Sequence, residues 1–387
     1  MIPRGKIHIS YTDLLTCMYY CMTNPFTTRS EASPGNNQLV CLSVRTGFDL
    51  VLSALDFTPG TEILVTDINI PDMFKIIAGH NLVAIPLTVD KQTLHISTAE
   101  VKAAITPSTK AILITHLFGG IMDINDIVDI AKEYNLLIFE DCAQAYAGNV
   151  YKGHSASAVV MFSFGFIKTN TALSGAVIRI NDPTLYAETA IRNNRLIQQG
   201  TATYFKKLCK AFFIKLLTSK IIYTIFYKLV VMIGKDFEEV IRSFTKGFPG
   251  ENIFVQIRYR PSTPNKKLLE KKVKNFHQQY ITERMQFATD ILMNIPCHYR
   301  IGWLNKKHTH WVLPIETTAP DKLIRFLQRN GFDASQKASS LIKLSSPNAL
   351  PDPAALELHN LVYLPVHPAM KYKTRMRLAR LLTEFQP

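Results

Sequence analysis

Short apolar runs alternate with amphipathic stretches between about residues 41 and 141. Runs such as AILITHLF (111–118) and LLIFED (136–141) predict strands, and stretches such as DINDIVDIAKEYN (123–135) predict helices. Strands that are apolar throughout are typical of a parallel sheet with helices on both faces. Ligands of such sheets bind outside the carboxyl ends of the strands, so we expect a functional site there.

The pattern changes after residue 150. AVVMFSF (158–164) and GAVIRI (175–180) predict two strands whose short connection carries a lysine, and a helix follows over 184–196. One long helix is predicted over 264–292. The resulting organisation is a large domain over 1–200 with its core at 38–182, a basic amphipathic helical insertion over 201–250, and a long helix with a smaller domain over 251–387.

The segment 203–235 differs in kind from the rest of the chain. It holds seven lysines and no acidic residue, and large apolar or aromatic residues fill most other positions. It has no uninterrupted 18-residue apolar run, so its pattern is that of amphipathic helices lying on an anionic membrane surface. A helical hairpin packed on the protein, or a contact between two copies, would explain the same pattern.

Composition narrows the classes of partner and compartment. Among 387 residues, 44 are Lys or Arg and 30 are Asp or Glu, which gives a net charge of +14 and favours anionic ligands or surfaces. Nucleic acid is disfavoured because the basic segment lacks arginine and is too apolar. The six cysteines form no CxxC pair, so neither a metal site nor a disulfide framework is indicated. We expect a cytoplasmic protein, with peripheral association at the inner face of a membrane as a further hypothesis.

Two charged residues stand where the predicted sheet would end. Asp141 closes one apolar strand, and Lys168 follows another. Burial would lower the pKa of a lysine and make its amine a usable nucleophile. One carboxylate and one amine at a sheet edge are what pyridoxal phosphate requires, although on spacing alone an ordinary Asp–Lys ion pair is the better explanation.

Longer motifs surround both residues. They are PGTEILV (59–65), TPSTKAILITHLFG (106–119), FEDCAQAYAG (139–148), FSFGFIK (162–168) and SGAV (174–177). In order and spacing these motifs resemble the DegT-type family of pyridoxal-phosphate-dependent sugar aminotransferases. The resemblance implies aspartate aminotransferase fold type I. That fold has an α/β large domain with a mixed, mostly parallel sheet and a smaller C-terminal α+β domain, and it forms homodimers.

The resemblance also implies roles for single residues. Lys168 matches the family's Schiff-base lysine, and Asp141 matches the carboxylate that pairs with the pyridine nitrogen. Gln144 matches the glutamine beside the cofactor ring, and Ser163 matches a serine that bonds the cofactor phosphate. His116 matches a histidine at a strand end, where a buried core role is favoured over a functional one.

The chain departs from the family at the phosphate end. Arg45, Thr46 and Gly47 stand where the family's Ser-Gly-Thr turn binds the cofactor phosphate at a helix N-terminus. Arg258 stands at the position of an asparagine that family members supply across the dimer. No aromatic residue lies in register at 69–73 to stack on the cofactor ring.

These observations predict an aminotransferase with pyridoxal 5′-phosphate as its cofactor and no metal. The resemblance implies glutamate as amino donor and a nucleotide-linked keto-sugar as acceptor, and the basic segment adds a membrane-resident or lipid-linked carbonyl acceptor as a candidate. The alternative is a catalytically inactive relative that serves as a binding or regulatory protein. Retention of the lysine, aspartate, glutamine and serine favours the enzyme.

Overall fold

The structure is a computed structural model that describes residues 1–23, 37–235, 237, 240–241, 252–336, 340–345, 352–367 and 370–386. The predicted insertion therefore lies partly outside the described residues. The strands are β1 (Gln38–Cys41), β2 (Glu62–Thr66), β3 (Ile68–Asn69), β4 (Val83–Leu87), β5 (Thr109–Thr115), β6 (Leu137–Asp141), β7 (Val159–Ser163), β8 (Ala176–Ile180), β9 (Ile197–Gln198), β10 (Tyr259–Arg260), β11 (Leu313–Glu316), β12 (Ile342–Lys343) and β13 (Leu361–Leu364).

The described helices are numbered in the same way, and two 3₁₀ turns lie at Cys297–Tyr299 and Leu358–Asn360. The helices are α1 (Tyr11–Thr23), α2 (Val44–Leu55), α3 (Pro71–Gly79), α4 (Thr98–Ala104), α5 (Asn125–Glu133), α6 (Pro183–Arg195), α7 (Thr201–Leu217), α8 (Lys220–Met232), α9 (Ile253–Ile257), α10 (Thr263–Lys274), α11 (Gln279–Leu292), α12 (Pro320–Arg329) and α13 (Tyr372–Glu384).

A seven-stranded sheet carries the architecture, in the order β1-β8-β7-β6-β5-β2-β4. Strand β8 runs antiparallel to both of its neighbours, and the other strands share one direction. The mixed, mostly parallel sheet predicted from the sequence is therefore confirmed. The near-continuous burial of β5 and β6 agrees with a sheet covered on both faces.

Alternating side chains on the strands supply two separate cores. On one face, Phe139 and Met161 pack with Phe48 of α2. On the other face, Ile138 and Ile112 pack with residues of α4 and α5. Because successive side chains of a strand point to opposite faces, residues two apart on β6 or β7 share a core.

The C-terminal part forms a smaller α+β layer. Strands β11 and β13 pair antiparallel, and helices α11, α12 and α13 share one hydrophobic core with them. The smaller C-terminal α+β region expected for the fold is present. The proposed boundaries at residues 200 and 250 stay predictions.

The single long helix predicted over 264–292 is wrong. Helix α10 ends at Lys274, and α11 begins at Gln279. Between them, Phe276 makes edge contacts with the rings of Tyr146 and His8, at centroid distances of 5.1 and 6.3 Å. Docking this ring into the core turns the chain out of the helix, which the amphipathic pattern does not reveal.

The basic segment forms the hairpin of α7 and α8, which is called the basic hairpin from here on. Helix α7 buries Tyr204, Leu208 and Ala211 in a core that also contains residues of α1. Within the described residues of α8, only Tyr223 and Val230 are buried. No helix among the described residues is both long and apolar enough to cross a bilayer.

Candidate active site

The carboxyl edge of the sheet brings Asp141 and Ser163 to one face. Asp141 ends β6, Ser163 ends β7, and Asp141 lies in register with Met161. Because Phe139 and Met161 belong to the core beneath α2, the next alternate positions, Asp141 and Ser163, also face α2. The expected convergence at this edge follows from the parallel β6–β7 pair.

Asp141 is buried and held by hydrogen bonds from two directions. Its Oδ1 accepts the amide N–H of Ala143 at 3.0 Å, and its Oδ2 accepts from Asn69 Nδ2 at 3.3 Å. Burial raises the pKa of Asp141, while the Ala143 amide, the charge on Lys168 and Asn69 oppose that rise. These two hydrogen bonds fix the orientation of the carboxylate, and the charge of Lys168 favours its ionised form. A carboxylate that pairs with a ring N–H needs both properties.

Lys168 lies in the turn after β7, where its amide bonds the carbonyl of Gly165 at 3.1 Å. Its Nζ stands 4.2 Å from the ring centroid of Trp311. Burial lowers the pKa of Lys168 to about 8, although the negative charge of Asp141 raises it and Arg45 lowers it further. A substantial fraction of this amine is therefore neutral near pH 8 and able to act as a nucleophile.

Gln144 and Ser163 flank the space between these two groups. Gln144 Oε1 accepts the amide N–H of Phe118 at 2.9 Å, and Ser163 Oγ accepts the amide N–H of Gly165 at 3.4 Å. A Cβ on Gly165 would meet only Ser163 Oγ at 3.6 Å and Lys168 Cγ at 3.9 Å. Both are ordinary contact distances, and they show that Ser163 and the lysine side chain both lie beside this position.

The N-terminus of α2 is largely engaged by its own chain. Ser43 is the N-cap, and its Oγ accepts the amide N–H of Thr46 at 3.2 Å. Thr46 Oγ1 donates to the carbonyl of Ile257 at 2.8 Å, and the Gly47 amide bonds the carbonyl of Ser43 at 3.1 Å. A Cβ on Gly47 would come within 2.5 Å of the Ile178 side chain, so this glycine allows α2 to pack against β8.

The two arginines predicted for the phosphate region pair with carboxylates. Arg45 Nε lies 2.7 Å from Asp72 Oδ2, at the first turn of α3. Burial lowers the pKa of Arg45, and Asp72 and Asp141 raise it. Arg258 lies at the end of α9, where its Nε and Nη2 donate to Asp49 at 3.0 Å each. Its position is compatible with a structural role that joins α9 to α2.

Three further residues line or support the site without having been predicted. Asn69 bonds Asp141, Trp311 contacts the lysine amine, and Arg284 bonds Thr169, the neighbour of Lys168, through Nη1 at 2.9 Å. Trp311 is one of two tryptophans in the chain, which is a weak signal. Arg284 sits in an ordinary amphipathic helix, so nothing local in the sequence marks it.

On the opposite face of the sheet, Glu140 is fully buried in a polar network. It accepts hydrogen bonds from His116 Nε2 at 2.9 Å and from the His154 amide at 2.7 Å, and the hydroxyls of Tyr151 and Ser157 donate to it as well. Burial would raise its pKa, but these donors prevail and lower it to about 2. The core role favoured for His116 is confirmed.

His116, Glu140 and Cys142 place one ligand atom each within 4.8 Å of one another. His116 Nδ1 accepts the Met122 amide at 3.0 Å, so its Nε2 carries the proton that Glu140 accepts. Neither ring nitrogen then offers a lone pair to an ion. This cluster is explained as a hydrogen-bonded network.

A model of the DegT/DnrJ/EryC1/StrS aminotransferase family matches residues 36–215, which contain all but one of the predicted site residues. The match covers somewhat less than half of the chain, so residues 36–215 are the part that is similar to this family. The DegT-type match covers β1 to α7 and so includes the lysine, the aspartate and the first helix of the basic hairpin. The family's cofactor is pyridoxal phosphate.

Two GDP-perosamine synthases are similar to the chain over part of its length. The protein from Caulobacter vibrioides is 34% identical over 158 residues, which are 39% of this chain and 41% of the relative. The one from Escherichia coli O157:H7 is 35% identical over 140 residues, 35% of this chain and 38% of the relative. The chain thus matches about two fifths of the length of these curated relatives.

Solved structures of DegT-type and related aminotransferases share the fold across nearly the whole chain. The sugar aminotransferase CalS13 from Micromonospora echinospora is 18% identical with a TM-score of 0.68, and the match covers 100% of both chains. NtdA from Bacillus subtilis, solved with bound cofactor PMP, is 16% identical with a TM-score of 0.64 over 99% of this chain and 79% of its own. Fold type I is therefore confirmed.

The site residues fit pyridoxal phosphate at its reactive end. A buried amine of lowered pKa lies within electrostatic reach of a buried carboxylate, and the charge of each affects the pKa of the other. At the phosphate end, Ser163 is available, while the groups of Arg45, Thr46 and Gly47 already have partners within the chain. The site therefore offers suitable groups for the cofactor ring. At the phosphate end it offers fewer uncommitted donors than the family's phosphate-binding turn does.

Proposed function

We propose that the protein is a pyridoxal-phosphate-dependent aminotransferase. The observation that carries this proposal is the pair formed by Lys168, with its pKa lowered to about 8, and the buried Asp141 on one face of the sheet edge. An ordinary ion pair would not need Asn69 and the Ala143 amide to orient the carboxylate as well. The inactive alternative has no observation of comparable weight in its favour.

Bound at this edge, the cofactor would supply an electron sink that acidifies the hydrogen on the α-carbon of an amino acid. Lys168 Nζ would hold the cofactor and later move that proton, because its lowered pKa lets it accept and release a proton near neutrality. Asp141 would keep a proton on the ring nitrogen, oriented by Asn69. Gln144 and Ser163 would contact the ring and the phosphate.

We propose glutamate as amino donor and a keto-sugar as acceptor. Support for the sugar comes from the two GDP-perosamine synthases, whose similarity spans the part of the chain that holds Lys168 and Asp141. Support for glutamate comes from the family resemblance alone. A homodimer is proposed on the same ground.

The absorbance spectrum of the purified protein tests the transferase proposal. With pyridoxal phosphate added, we expect a yellow band in the visible region, which glutamate bleaches and a keto acceptor restores. Aspartate and alanine serve as comparison donors and should bleach it more slowly. A band that no amino acid bleaches would argue for the binding protein instead.

We further propose that the basic hairpin lies on an anionic membrane surface, so that the enzyme is peripheral at the inner face of a membrane. Ile221 and Met232 are 76% and 75% exposed, and Ile225 and Leu229 are also exposed on α8. The lysines at 220 and 228 are exposed on the same helix. Exposed apolar side chains beside lysines are the composition expected at a lipid head-group boundary. A lipid-linked acceptor would be consistent with this placement.

Vesicle flotation with equal parts of phosphatidylglycerol and phosphatidylcholine tests the membrane proposal. We expect Ile225→Asp to weaken binding about tenfold, because a buried aliphatic side chain contributes roughly 1.5–3 kcal/mol. Ile191→Asp, at a similarly exposed isoleucine on α6, is the matched control and should bind as the native protein does.

Light scattering of the same two variants separates lipid from protein contact. If Ile225→Asp instead halves the molar mass in solution and leaves flotation unchanged, the hairpin is a contact between copies. That result would remove the membrane proposal and leave the transferase proposal standing.

A further inference from the structure

A cavity of about 220 Å³ opens beside Lys168. Its walls come from the N-terminal segment, the turn that carries Lys168, the inner side of the basic hairpin, α11 and the chain around β13. Ligand sites of drug-sized molecules usually measure roughly 300–1,000 Å³. The cavity is therefore large enough for one arm of a substrate and too small for a whole nucleotide sugar.

The charged residues of the described chain that line the cavity are all basic. Lys6, Lys168 and Arg284 line it, and Arg4, also in the lining, pairs with Asp333 at 2.8 Å. Among the described lining residues, none is acidic. Burial lowers the pKa values of His8 and His367 in its wall to about 4, so both are neutral at pH 7. The cavity is thus complementary to an anionic group.

Arg284 is the buried cation of this set. Its Nε donates to the Thr309 carbonyl at 2.8 Å and its Nη1 to Thr169 Oγ1, while Nη2 is buried without a hydrogen-bond partner among the described residues. Burial lowers the pKa of Arg284 to about 10, and the neighbouring Tyr280 hydroxyl offsets only part of this effect. No carboxylate of the described chain pairs with it. Beside the Tyr280 hydroxyl, this buried guanidinium keeps a donor that an anionic group from outside the chain could accept.

The cavity also has an apolar part of its wall. Ile214 and Leu217, from the last turn of α7, line it together with Phe166 and Ile167 beside the lysine. The second helix of the basic hairpin, α8, carries exposed apolar residues of its own. An apolar chain entering from that side would reach toward Lys168.

We propose that this cavity binds the arm of an anionic amphiphile: a negatively charged group on Arg284 and a hydrocarbon chain against Leu217 and Ile214. Resting on the proposed transferase function, this narrows the acceptor to keto-sugars or related carbonyl compounds that carry an apolar chain and an acidic group. Arg284 is bonded to the residue next to Lys168, so an anion there would position the carbonyl carbon near the amine. The cavity would thereby select the acceptor.

Calorimetric binding of dodecanoate to the full-length protein loaded with pyridoxal phosphate tests the cavity. We expect dodecanoate to bind saturably at one site and hexanoate to bind with lower affinity. Dodecyltrimethylammonium should give no binding heat, because its charge is positive. Leu217→Asn should weaken dodecanoate binding about tenfold, from the loss of one buried aliphatic side chain. Leu216→Asn is the matched control, because Leu216 adjoins Leu217 in sequence but is exposed and does not line the cavity.

The anionic end has its own pair of variants. Arg284→Gln should weaken dodecanoate binding tenfold or more, and Arg284→Lys should restore part of it, since the lost bond is charge-assisted. Should Arg284→Gln not fold, the leucine pair still decides. Equal losses in Leu216→Asn and Leu217→Asn, or equal binding of the cationic amphiphile, would overturn the cavity proposal.

The two proposals fail separately. A normal visible band without dodecanoate binding removes the amphiphile and keeps the transferase. Dodecanoate binding in a protein that never develops the band supports the cavity while it removes the transferase.

Discussion

Replacing Lys168 with alanine is expected to abolish the visible band given by pyridoxal phosphate and to slow amino transfer by at least about 10³-fold. Proton transfer by a positioned side chain alone contributes roughly 10²–10⁴-fold, and this lysine would also hold the cofactor. Absorbance and a coupled assay of 2-oxoglutarate release measure the two effects in one preparation.

Lys152→Ala is the control for that variant, because Lys152 is an exposed lysine between β6 and β7 and only its backbone carbonyl is bonded, to Arg179. It should retain both the band and the rate. If Lys168→Ala keeps the band at full intensity, the amine that holds the cofactor is another one. The assignment of Lys168 would then be wrong.

Replacing Glu140 with alanine is expected to lower the free energy of unfolding by about 3–5 kcal/mol, the usual cost of leaving one side of a buried charged network unpaired. His116, Tyr151, Ser157 and the amide of His154 would all lose their acceptor. Urea unfolding followed by circular dichroism measures the change.

Glu133→Ala is the matched control, because Glu133 is an exposed glutamate on α5 whose pair with Lys102 is 3.7 Å long. Exposed pairs contribute about 0–1 kcal/mol, so its unfolding should shift little. Equal shifts in the two variants would contradict the role of the network.

Acid should act through the same group. The pKa of Glu140 is about 2 in the folded protein against 4.5 for the free side chain, so its stabilisation is complete above pH 4.5 and is lost as the pH falls toward 2. Glu140→Gln should flatten that part of the stability profile.

The contrast between Glu140 and Asp141 shows how a strand divides two neighbouring acids. Because successive side chains of a strand point to opposite faces, Asp141 lies on the face of α2 and Glu140 lies on the opposite face. There Glu140 is buried and accepts hydrogen bonds, whereas Asp141 accepts one from Asn69. One acid is left facing the reaction site, and the other stabilises the sheet beneath it.

Much of the fold could be predicted because the strands are short, apolar and regularly spaced. The strands at 111–118, 136–141, 158–164 and 175–180 are confirmed with small changes of boundary. The assignment of the lysine and the aspartate came from the family resemblance and stays a prediction; the structure places Asp141 at the end of β6 and Lys168 in the turn after β7. The helix break near Phe276 was missed, since it depends on contacts with Tyr146 and His8 that are remote in sequence.

At the phosphate end, the cofactor-binding role of the assigned residues stays a prediction, and the structure adds their partners within the chain. Arg45, Thr46 and Gly47 were assigned by position in a motif, but their partners are Asp72, Ile257 and Ser43. Arg258 likewise meets Asp49 of its own chain. Motif position says where a residue lies along the chain, and it does not say which side chain of a distant segment reaches it first.

The sequence by itself determined the strand and helix pattern, the mostly parallel sheet and the pair Lys168 and Asp141, because these depend on local periodicity and on the ends of neighbouring strands. Only the tertiary structure decided the environment of the pair. Trp311, Arg284 and the end of α7 come from segments more than 40 residues away and line the cavity beside the lysine, whose pKa is lowered by burial. Contacts between segments that are remote in sequence result from tertiary packing, which the hydrophobic periodicity of each segment does not specify.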